Sequence, residues 1–142
     1  METKKKTRVC VIDGQGGGIG AVIIKKLKER YGEQVEILAL GTNAIATAQM
    51  LKARANRGAS GNNAIAWTVQ RVDVIVGPVG IIMPHAMMGE VSVEMAAAVA
   101  GSDAKKILLP LSQDNLEIVG TSGLPLPELV DELLDNHLSS LY

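Results

Sequence analysis

The fold of this chain is decided by the stretch Asp13-Gly14-Gln15-Gly16-Gly17-Gly18-Ile19-Gly20. The apolar run Val9-Cys10-Val11-Ile12 precedes it, and a run typical of a helix follows it at residues 21–30. Glycine permits a sharp backbone turn and leaves no Cβ in the way of a ligand. The N–H groups at a helix start favour an anion. A strand, a glycine loop and a helix start in this order therefore predict an anion-binding turn, typical of a nucleotide or dinucleotide site.

Two glycine spacings fit this loop. Gly16-x-Gly18-x-x-Ala21 matches the dinucleotide fingerprint that ends in alanine. Gly14-x-x-x-Gly18-Ile19-Gly20 matches the spacing of short-chain dehydrogenases. The alternative to a ligand site is a turn that only packs the helix against the strand.

Composition limits the classes of protein to consider. The 142 residues have the length of one ordinary domain, and with 47% hydrophobic and 20% charged residues they predict a folded core. The net charge of −1 argues against a nucleic-acid partner, which calls for a basic excess. No run resembles a signal peptide or approaches the length of a membrane span. We therefore expect a cytoplasmic protein that binds neither nucleic acid nor membrane.

Apolar runs alternate with helical patterns along the chain. Residues 1–6 are interpreted as a loose tail and residues 7–142 as a single domain. Strands are predicted at 7–13, 35–40, 72–77, 106–110 and 116–119, the last as a short edge strand. Helices are predicted at 19–31, after Asn43 to about 53, from a Ser60 cap to about 71, from a Ser92 cap to about 100, and from Pro127 onward. This alternation predicts an α/β, three-layer, Rossmann-like domain with a mainly parallel five-stranded sheet.

Two segments, residues 12–20 and 72–80, resemble the first half of the short-chain dehydrogenase fold. The second sits where that family carries an Asn-Asn-Ala-Gly strand end, beside the first strand. By this analogy the strand order is 2-1-3-4-5, with a crevice between strands 1 and 3.

The chain departs from that family at several positions. The catalytic Tyr-x-x-x-Lys is missing, since Tyr31 is followed four residues later by Val35 and Tyr142 is the last residue. We therefore do not expect hydride chemistry of that type. The second strand ends in Gly41-Thr42-Asn43 rather than in the acidic residue that holds an adenosine ribose. Asp13 replaces a small hydroxyl residue, and its carboxylate opposes an anion unless it is turned away, capped or bridged by a metal.

Three segments, residues 11–20, 39–47 and 102–111, resemble a family of small bacterial proteins known only as a domain of unknown function. The resemblance spans nearly the whole chain. It implies a single-domain protein and supplies no activity.

The predicted ligand contacts lie on the glycine loop, on strand ends and on one arginine. They are Gly14, Gln15, Gly16, Gly17, Gly18, Ile19, Gly20, Thr42, Asn43, Arg57, Gly77 and Pro78. Thr42 and Asn43 suit a ribose or a phosphate, and equally suit a helix cap. Arg54 and Arg57 suit a phosphate, although most exposed arginines are simply solvated. The expected ligand is NAD(P) or another adenine nucleotide.

Candidates for a reactive role are His85 and Asp13. His85 follows the third predicted strand near the crevice mouth, where it could serve as a general acid or base oriented by Glu90. No nucleophile is evident nearby. No metal-ligand spacing, triad pattern or Walker lysine is present, so no metal is predicted.

The segment from Ile81 to Ala100 is more apolar than one helix face requires. This composition predicts a homodimer, because large exposed apolar patches mark interfaces and two-fold symmetry is the commonest solution. The competing explanation is a fully buried crossover of the sheet.

Three functions are consistent with these features. The favoured one is a binding or sensing module for a nucleotide-type ligand. The others are a small NAD(P)-linked or nucleotide-handling enzyme, and an interaction protein whose glycine turn is empty.

Overall fold

A parallel sheet forms the centre of the molecule. The computed structural model describes residues 5–111, 115–121 and 123–138. The strands in that part of the chain are β1 (Thr7–Asp13), β2 (Val35–Gly41), β3 (Arg57–Ser60), β4 (Val74–Pro78) and β5 (Lys105–Leu109). They lie in the order β3-β2-β1-β4-β5, and all neighbours are parallel. The predicted α/β, Rossmann-like fold with a five-stranded sheet is confirmed.

Helices cover both faces of the sheet. They are α1 (Gly18–Tyr31), α2 (Ala44–Lys52), α3 (Asn62–Thr68), α4 (Val93–Ala100) and α5 (Leu126–Glu132), with a π-helical turn at Leu133–Leu138. Helices α1, α2 and α5 contribute to the core on one face, and α3 and α4 to the core on the other. None of the helices in the described ranges is long and apolar enough to cross a membrane.

The sequence of β1 does not alternate between apolar and polar residues, because both faces of the strand are covered. Val9 and Val11 belong to the core on the α1 face, whereas Cys10 and Ile12 belong to the core on the α4 face. All four side chains are buried, as expected for a parallel strand covered on both faces. Burial also raises the pKa of the Cys10 thiol, consistent with an inert apolar position.

The predicted strand order 2-1-3-4-5 is close to the observed one but wrong at its ends. The predicted strands 3 and 4 are β4 and β5, and they lie beside β1 as expected. The predicted strand at 116–119 is wrong: in the described range 115–121 only Leu116 makes a bridge, and that range adds no strand to the sheet. The observed order is that of the dinucleotide-binding Rossmann fold without its sixth strand.

Strand β3 was not predicted because its sequence carries no strand signal. Arg57, Gly58, Ala59 and Ser60 are all exposed, and none of them is a β-branched or aromatic residue. Pairing with β2 alone makes this segment a strand. Ser60 is also not the predicted helix cap, since its hydroxyl lies 2.7 Å from Thr47 Oγ1 and Gly61 precedes α3.

The apolar segment at residues 81–100 is largely part of the core. The side chains buried on the α4 face are Ile81, Val91, Met95, Ala96 and Val99. Met88 and Val93 remain exposed, at 96% and 53%. This burial favours the crossover explanation for most of the segment. The homodimer stays a prediction, supported by the exposed Met88 and Val93 and no longer by the whole apolar segment.

Candidate functional site

The candidate site lies where β1 and β4 are neighbours in the sheet. The chain leaves β1 toward β2 on one side, and β4 continues toward β5 on the other, so a crevice opens above their carboxyl ends. Ligands of open α/β sheets bind at this switch point. The glycine loop, residues 14–18, fills its floor: Gly17 N–H donates to Gly14 O at 2.9 Å and Gly17 adopts φ 74° immediately before α1.

Asp13 is buried beneath the glycine loop. Its carboxylate accepts hydrogen bonds from Gly14 N–H at 2.8 Å and from Gly20 N–H at 2.7 Å, and only 3% of the residue is exposed. Burial raises the pKa of Asp13, while the N–H groups of Gly20, Gly14 and Ile19 act to lower it. The carboxylate therefore caps backbone N–H groups at the start of α1, which leaves it poorly placed to react with a ligand.

A cleft of about 510 Å³ opens beside the loop. Its described lining consists of the segment Asp13–Ile19 with Pro78, Met87, Met88 and Leu111. The volume lies in the range of small-molecule sites, which run from about 300 to 1,000 Å³. Backbone groups and methionine side chains dominate this lining, and no lysine or arginine is among the described residues that form it.

Two glycines of the loop are required by packing or backbone geometry. A Cβ on Gly14 would lie 2.6 Å from Met87 Sδ and 2.6 Å from Thr42 Oγ1. A Cβ on Gly17 would lie 2.7 Å from the carbonyl oxygen of Ala46, and its positive φ already disfavours other residues.

Gly16 and Gly18 differ from these two. Neither has a positive φ, and a Cβ on either would meet no atom within 4 Å. Both line the cleft. Within the described ranges their N–H groups also have no protein acceptor. Nothing in the packing of the loop explains glycine at these two positions.

Glu90 binds the glycine loop on the side that faces the end of β2. Its Oε1 accepts hydrogen bonds from Thr42 Oγ1 at 2.6 Å, from Asn43 Nδ2 at 2.8 Å and from Gln15 N–H at 2.8 Å. The hydrogen bond from Thr42 is the main reason that the pKa of Glu90 is lowered, and those from Gln15 and Asn43 add to it. Glu90 is therefore a carboxylate at neutral pH that ties the loop to the end of β2.

Glu90 belongs to a compact loop, residues 83–91, which we call the strap. His85 N–H donates to Val91 O at 2.7 Å, and Gly89 N–H donates to His85 O at 3.0 Å, so the strap closes on itself. His85, Met87 and Met88 have φ of 70°, 59° and 56°. Non-glycine residues in this region persist only where the surrounding structure fixes them, and they cluster at functional sites.

Thr42 and Asn43 lie beside the cleft rather than in it. Both bind Glu90, and Asn43 also caps α2, accepting from Ala46 N–H at 2.8 Å. Its amide further donates to Gln15 O at 3.0 Å. The structure thus uses these two residues to anchor the strap and the glycine loop.

The remaining candidates are divided between the site and the rest of the molecule. Pro78 lines the cleft, and Gly77 lies beneath it, where a Cβ would be 2.5 Å from Ile12 O. Arg57 lies at the start of exposed β3 and pairs with Glu36, away from the loop. His85 is exposed and does not line the cleft. Across the described ranges, no group of three His, Cys, Asp or Glu residues is arranged to hold a metal.

The sequence places His85 and Glu90 of the strap near the crevice mouth, but it does not predict that the strap binds the glycine loop. Glu90 was considered only as a partner of His85, whereas Met87, Met88 and Leu111 were not assigned to the crevice. A signal was available: the loop after β4 must leave the sheet at the switch point, so it has to pass beside the glycine loop.

Comparisons with known proteins identify the family. The chain belongs to the family described as a domain of unknown function (DUF3842), whose model matches residues 8–142. The predicted membership in a family of this kind is confirmed. No curated protein matches the chain in sequence. Among solved structures, a universal stress protein in complex with cAMP is similar, with a TM-score of 0.42 and 17% sequence identity, over 76% of this chain and 100% of that chain.

Proposed function

We propose that this member of the DUF3842 family is a binding module for a phosphate-bearing nucleotide, held in the cleft above the glycine loop. The phosphate would accept hydrogen bonds from the N–H groups of Gly16 and Gly18. The start of helix α1 adds its favourable dipole at the same place.

The observation that carries this proposal is the contrast among the glycines of one loop. Gly14 and Gly17 are explained by contacts inside the protein, but Gly16 and Gly18 have room for a side chain and an ordinary backbone conformation. Glycine loses more conformational freedom on folding than any other residue, and no contact inside the protein requires it at these two positions. Close approach of a ligand to the backbone explains why a side chain is missing at two positions that face the cleft.

The electrostatics of the cleft support a backbone-bound anion. Asp13 lines the cleft, but its carboxylate accepts hydrogen bonds from the N–H groups of Gly14 and Gly20, which offset part of its charge. Because the described lining contains no lysine or arginine, recognition would depend on dipoles and hydrogen bonds. We expect binding that depends only weakly on salt, in contrast to sites built from surface charges.

Of the two functions that require a ligand, the binding module is better supported than the small enzyme. An enzyme would need a reactive group at the bound ligand. Asp13 is committed to backbone N–H groups, and His85 lies on the exposed side of the strap. We retain an adenine nucleotide as the proposed ligand, and the screen below tests the predicted NAD(P) beside the mononucleotides.

A thermal-shift screen tests the proposal. The panel contains inorganic phosphate, AMP, ADP, ATP, NAD and NADP, with the wild type and the variant Gly18→Val. A ligand at 100 times its Kd stabilises the native state by about 2.7 kcal/mol, which raises Tm by several degrees. Gly18→Val should fold normally and lose the shift, because its side chain enters the cleft and not the core.

Gly123→Val serves as the matched control. Gly123 is exposed, lies outside the cleft lining and also has no atom within 4 Å of an added Cβ. It should keep the ligand-induced shift. The proposal fails if no member of the panel stabilises the wild type, or if Gly18→Val responds like the wild type.

We also propose that the chain forms a homodimer. The support is the exposure of Met88 and Val93 on the segment that links β4 to α4. They are the large hydrophobic side chains of residues 81–100 that are exposed in the monomer, so a partner would cover them.

A further inference from the structure

We propose that the chain fills the β2 side of its own crevice with Glu90, so that the cleft accepts a mononucleotide and excludes a dinucleotide. This inference rests on the nucleotide-binding function proposed above. It assigns to Glu90 and Met87 a role in ligand selection.

Glu90 occupies the place of the carboxylate that binds a ribose in related folds. In dinucleotide-binding folds with this strand order, the adenosine ribose lies at the carboxyl end of β2, where an acidic residue accepts its hydroxyl hydrogens. Here Thr42 and Asn43 are the residues that follow β2. Glu90 Oε1 lies 2.6 Å from Thr42 Oγ1 and 2.8 Å from Asn43 Nδ2. The strap thus supplies the carboxylate that is missing from the end of β2, and its Oε1 is already bonded to Thr42 Oγ1 and Asn43 Nδ2, two groups that a ribose would otherwise use.

The glycine loop and the strap leave no passage for a dinucleotide between the cleft and the end of β2. A dinucleotide has to cross Gly14 and Gln15 to reach from the cleft to the end of β2. Above Gly14 there is no room for a single methyl group, since Met87 Sδ and Thr42 Oγ1 would each lie 2.6 Å from its Cβ. Gln15 N–H, on the same path, is already bonded to Glu90. The pyrophosphate bridge of a dinucleotide has no route between these groups.

The charge of Glu90 also disfavours a phosphate at the end of β2. The hydrogen bonds that Glu90 accepts keep it ionised, so a phosphate placed at the end of β2 would meet a carboxylate. The 2′-phosphate of NADP belongs at that end of the crevice. We therefore expect the exclusion to be strongest for NADP.

Several hydrogen bonds hold the strap in place. Backbone hydrogen bonds within the strap hold His85 and Met87 in the left-handed region. Glu90 also binds the strap to the glycine loop and to the end of β2. Opening the β2 side would break these contacts together. A mononucleotide needs no such opening, because the cleft on the Pro78 and Leu111 side is already formed.

Calorimetric titration with ADP, NAD and NADP tests this inference. For the wild type we expect a Kd for ADP at least tenfold lower than that for NAD, with NADP the weakest. Glu90→Ala removes the filling carboxylate, and Met87→Gly opens the space above Gly14 with a residue that suits the positive φ. Each should reduce the NAD-to-ADP ratio of Kd values at least threefold.

Glu94→Ala is the control, because Glu94 is an exposed glutamate in the first turn of α4, outside the cleft lining. Its ratio should equal that of the wild type. The inference is overturned if the wild type binds NAD as tightly as ADP, in which case nucleotide binding itself still stands. It is also overturned if both variants fold and keep the wild-type ratio. If none of the three ligands binds, the proposed function fails and this inference fails with it.

Discussion

Adjacent glycines in one loop have opposite structural roles. Gly17→Ala should lower the free energy of unfolding by about 1–3 kcal/mol, because it combines a positive φ with a clash against the backbone of Ala46. Gly18→Ala should change that free energy by less than about 0.5 kcal/mol or raise it, since its Cβ meets nothing and alanine favours the helix. Urea unfolding of both variants measures the difference. Equal losses would show that both glycines serve the fold alone.

We expect Asp13 to contribute to the stability of the fold through its hydrogen bonds to backbone N–H groups. Asp13→Ala leaves the N–H groups of Gly14 and Gly20 without acceptors in a buried place, which costs about 1–3 kcal/mol for each unsatisfied group. We predict a loss of roughly 2–4 kcal/mol in chemical unfolding. Asp103→Ala, at an exposed position, is the control and should stay within about 0.5 kcal/mol. A neutral Asp13→Ala would contradict the capping role.

Glu90 makes the attachment of the strap dependent on pH. Its pKa is lowered in the folded protein, so ionised Glu90 stabilises the fold above the unfolded-state pKa of about 4.3. This contribution diminishes as the pH falls below that value and is lost below the folded-state pKa. We predict that Glu90→Gln costs roughly 1 kcal/mol at pH 7, and that its difference from the wild type narrows steadily on acidification below pH of about 4.3. If the difference in unfolding free energy between Glu90→Gln and the wild type stays constant down to acid pH, the hydrogen bonds of Glu90 do not depend on its charge, which contradicts the prediction.

At the scale of elements, buried parallel strands are readable from sequence and exposed ones are not. β1, β2 and β4 are apolar because both of their faces are covered, and each was predicted within a few residues. β3 is four exposed residues whose strand form comes from pairing with β2. No local pattern records such pairing, and this one strand changes the order of the sheet.

The candidate site divides in the same way. The glycine loop is contiguous in sequence, so it could be singled out before the fold was known, and it lines a cleft in the structure. Glu90 is 75 residues away from Gln15 along the chain, and only the crossover after β4 brings the two together. Side-chain pairs of this kind depend on the topology, which has to be known first.

The exposed edge strand provides a test at this scale. The amides of β1 and β4 lie between paired strands in the buried centre, so their hydrogen exchange should require global unfolding. Those of β3, which pairs with β2 alone, should exchange by local opening, at least a hundredfold faster. Native-state exchange read by mass spectrometry or NMR measures this. Equal protection of β3 and β1 would show that β3 is covered, for instance by a second chain.

At the scale of the whole molecule, Met88 is the most exposed large hydrophobic side chain of residues 81–100, the segment whose composition predicts association. We predict a homodimer in light scattering at tens of micromolar, and its loss in Met88→Glu, because a charge buried at an apolar interface costs desolvation energy. Met88 is 96% exposed, so the substitution should leave the monomer folded. A wild type with the mass of one chain would rule out the dimer. Unfolding of Met88→Glu would contradict the exposed position of Met88.

The most direct test of the central claim is a titration of the ¹⁵N-labelled protein with ADP, followed by amide resonances in solution NMR. We predict that the amide resonances of Gly16 and Gly18 move most, because a bound phosphate accepts their hydrogen bonds, and that those of Gly32 and Gly101 stay in place. Gly18→Val should abolish the movement of Gly16. The claim is contradicted if saturating ADP leaves both resonances unmoved, or if the largest shifts occur instead around Lys25 and Arg54, in the groove between α1 and α2.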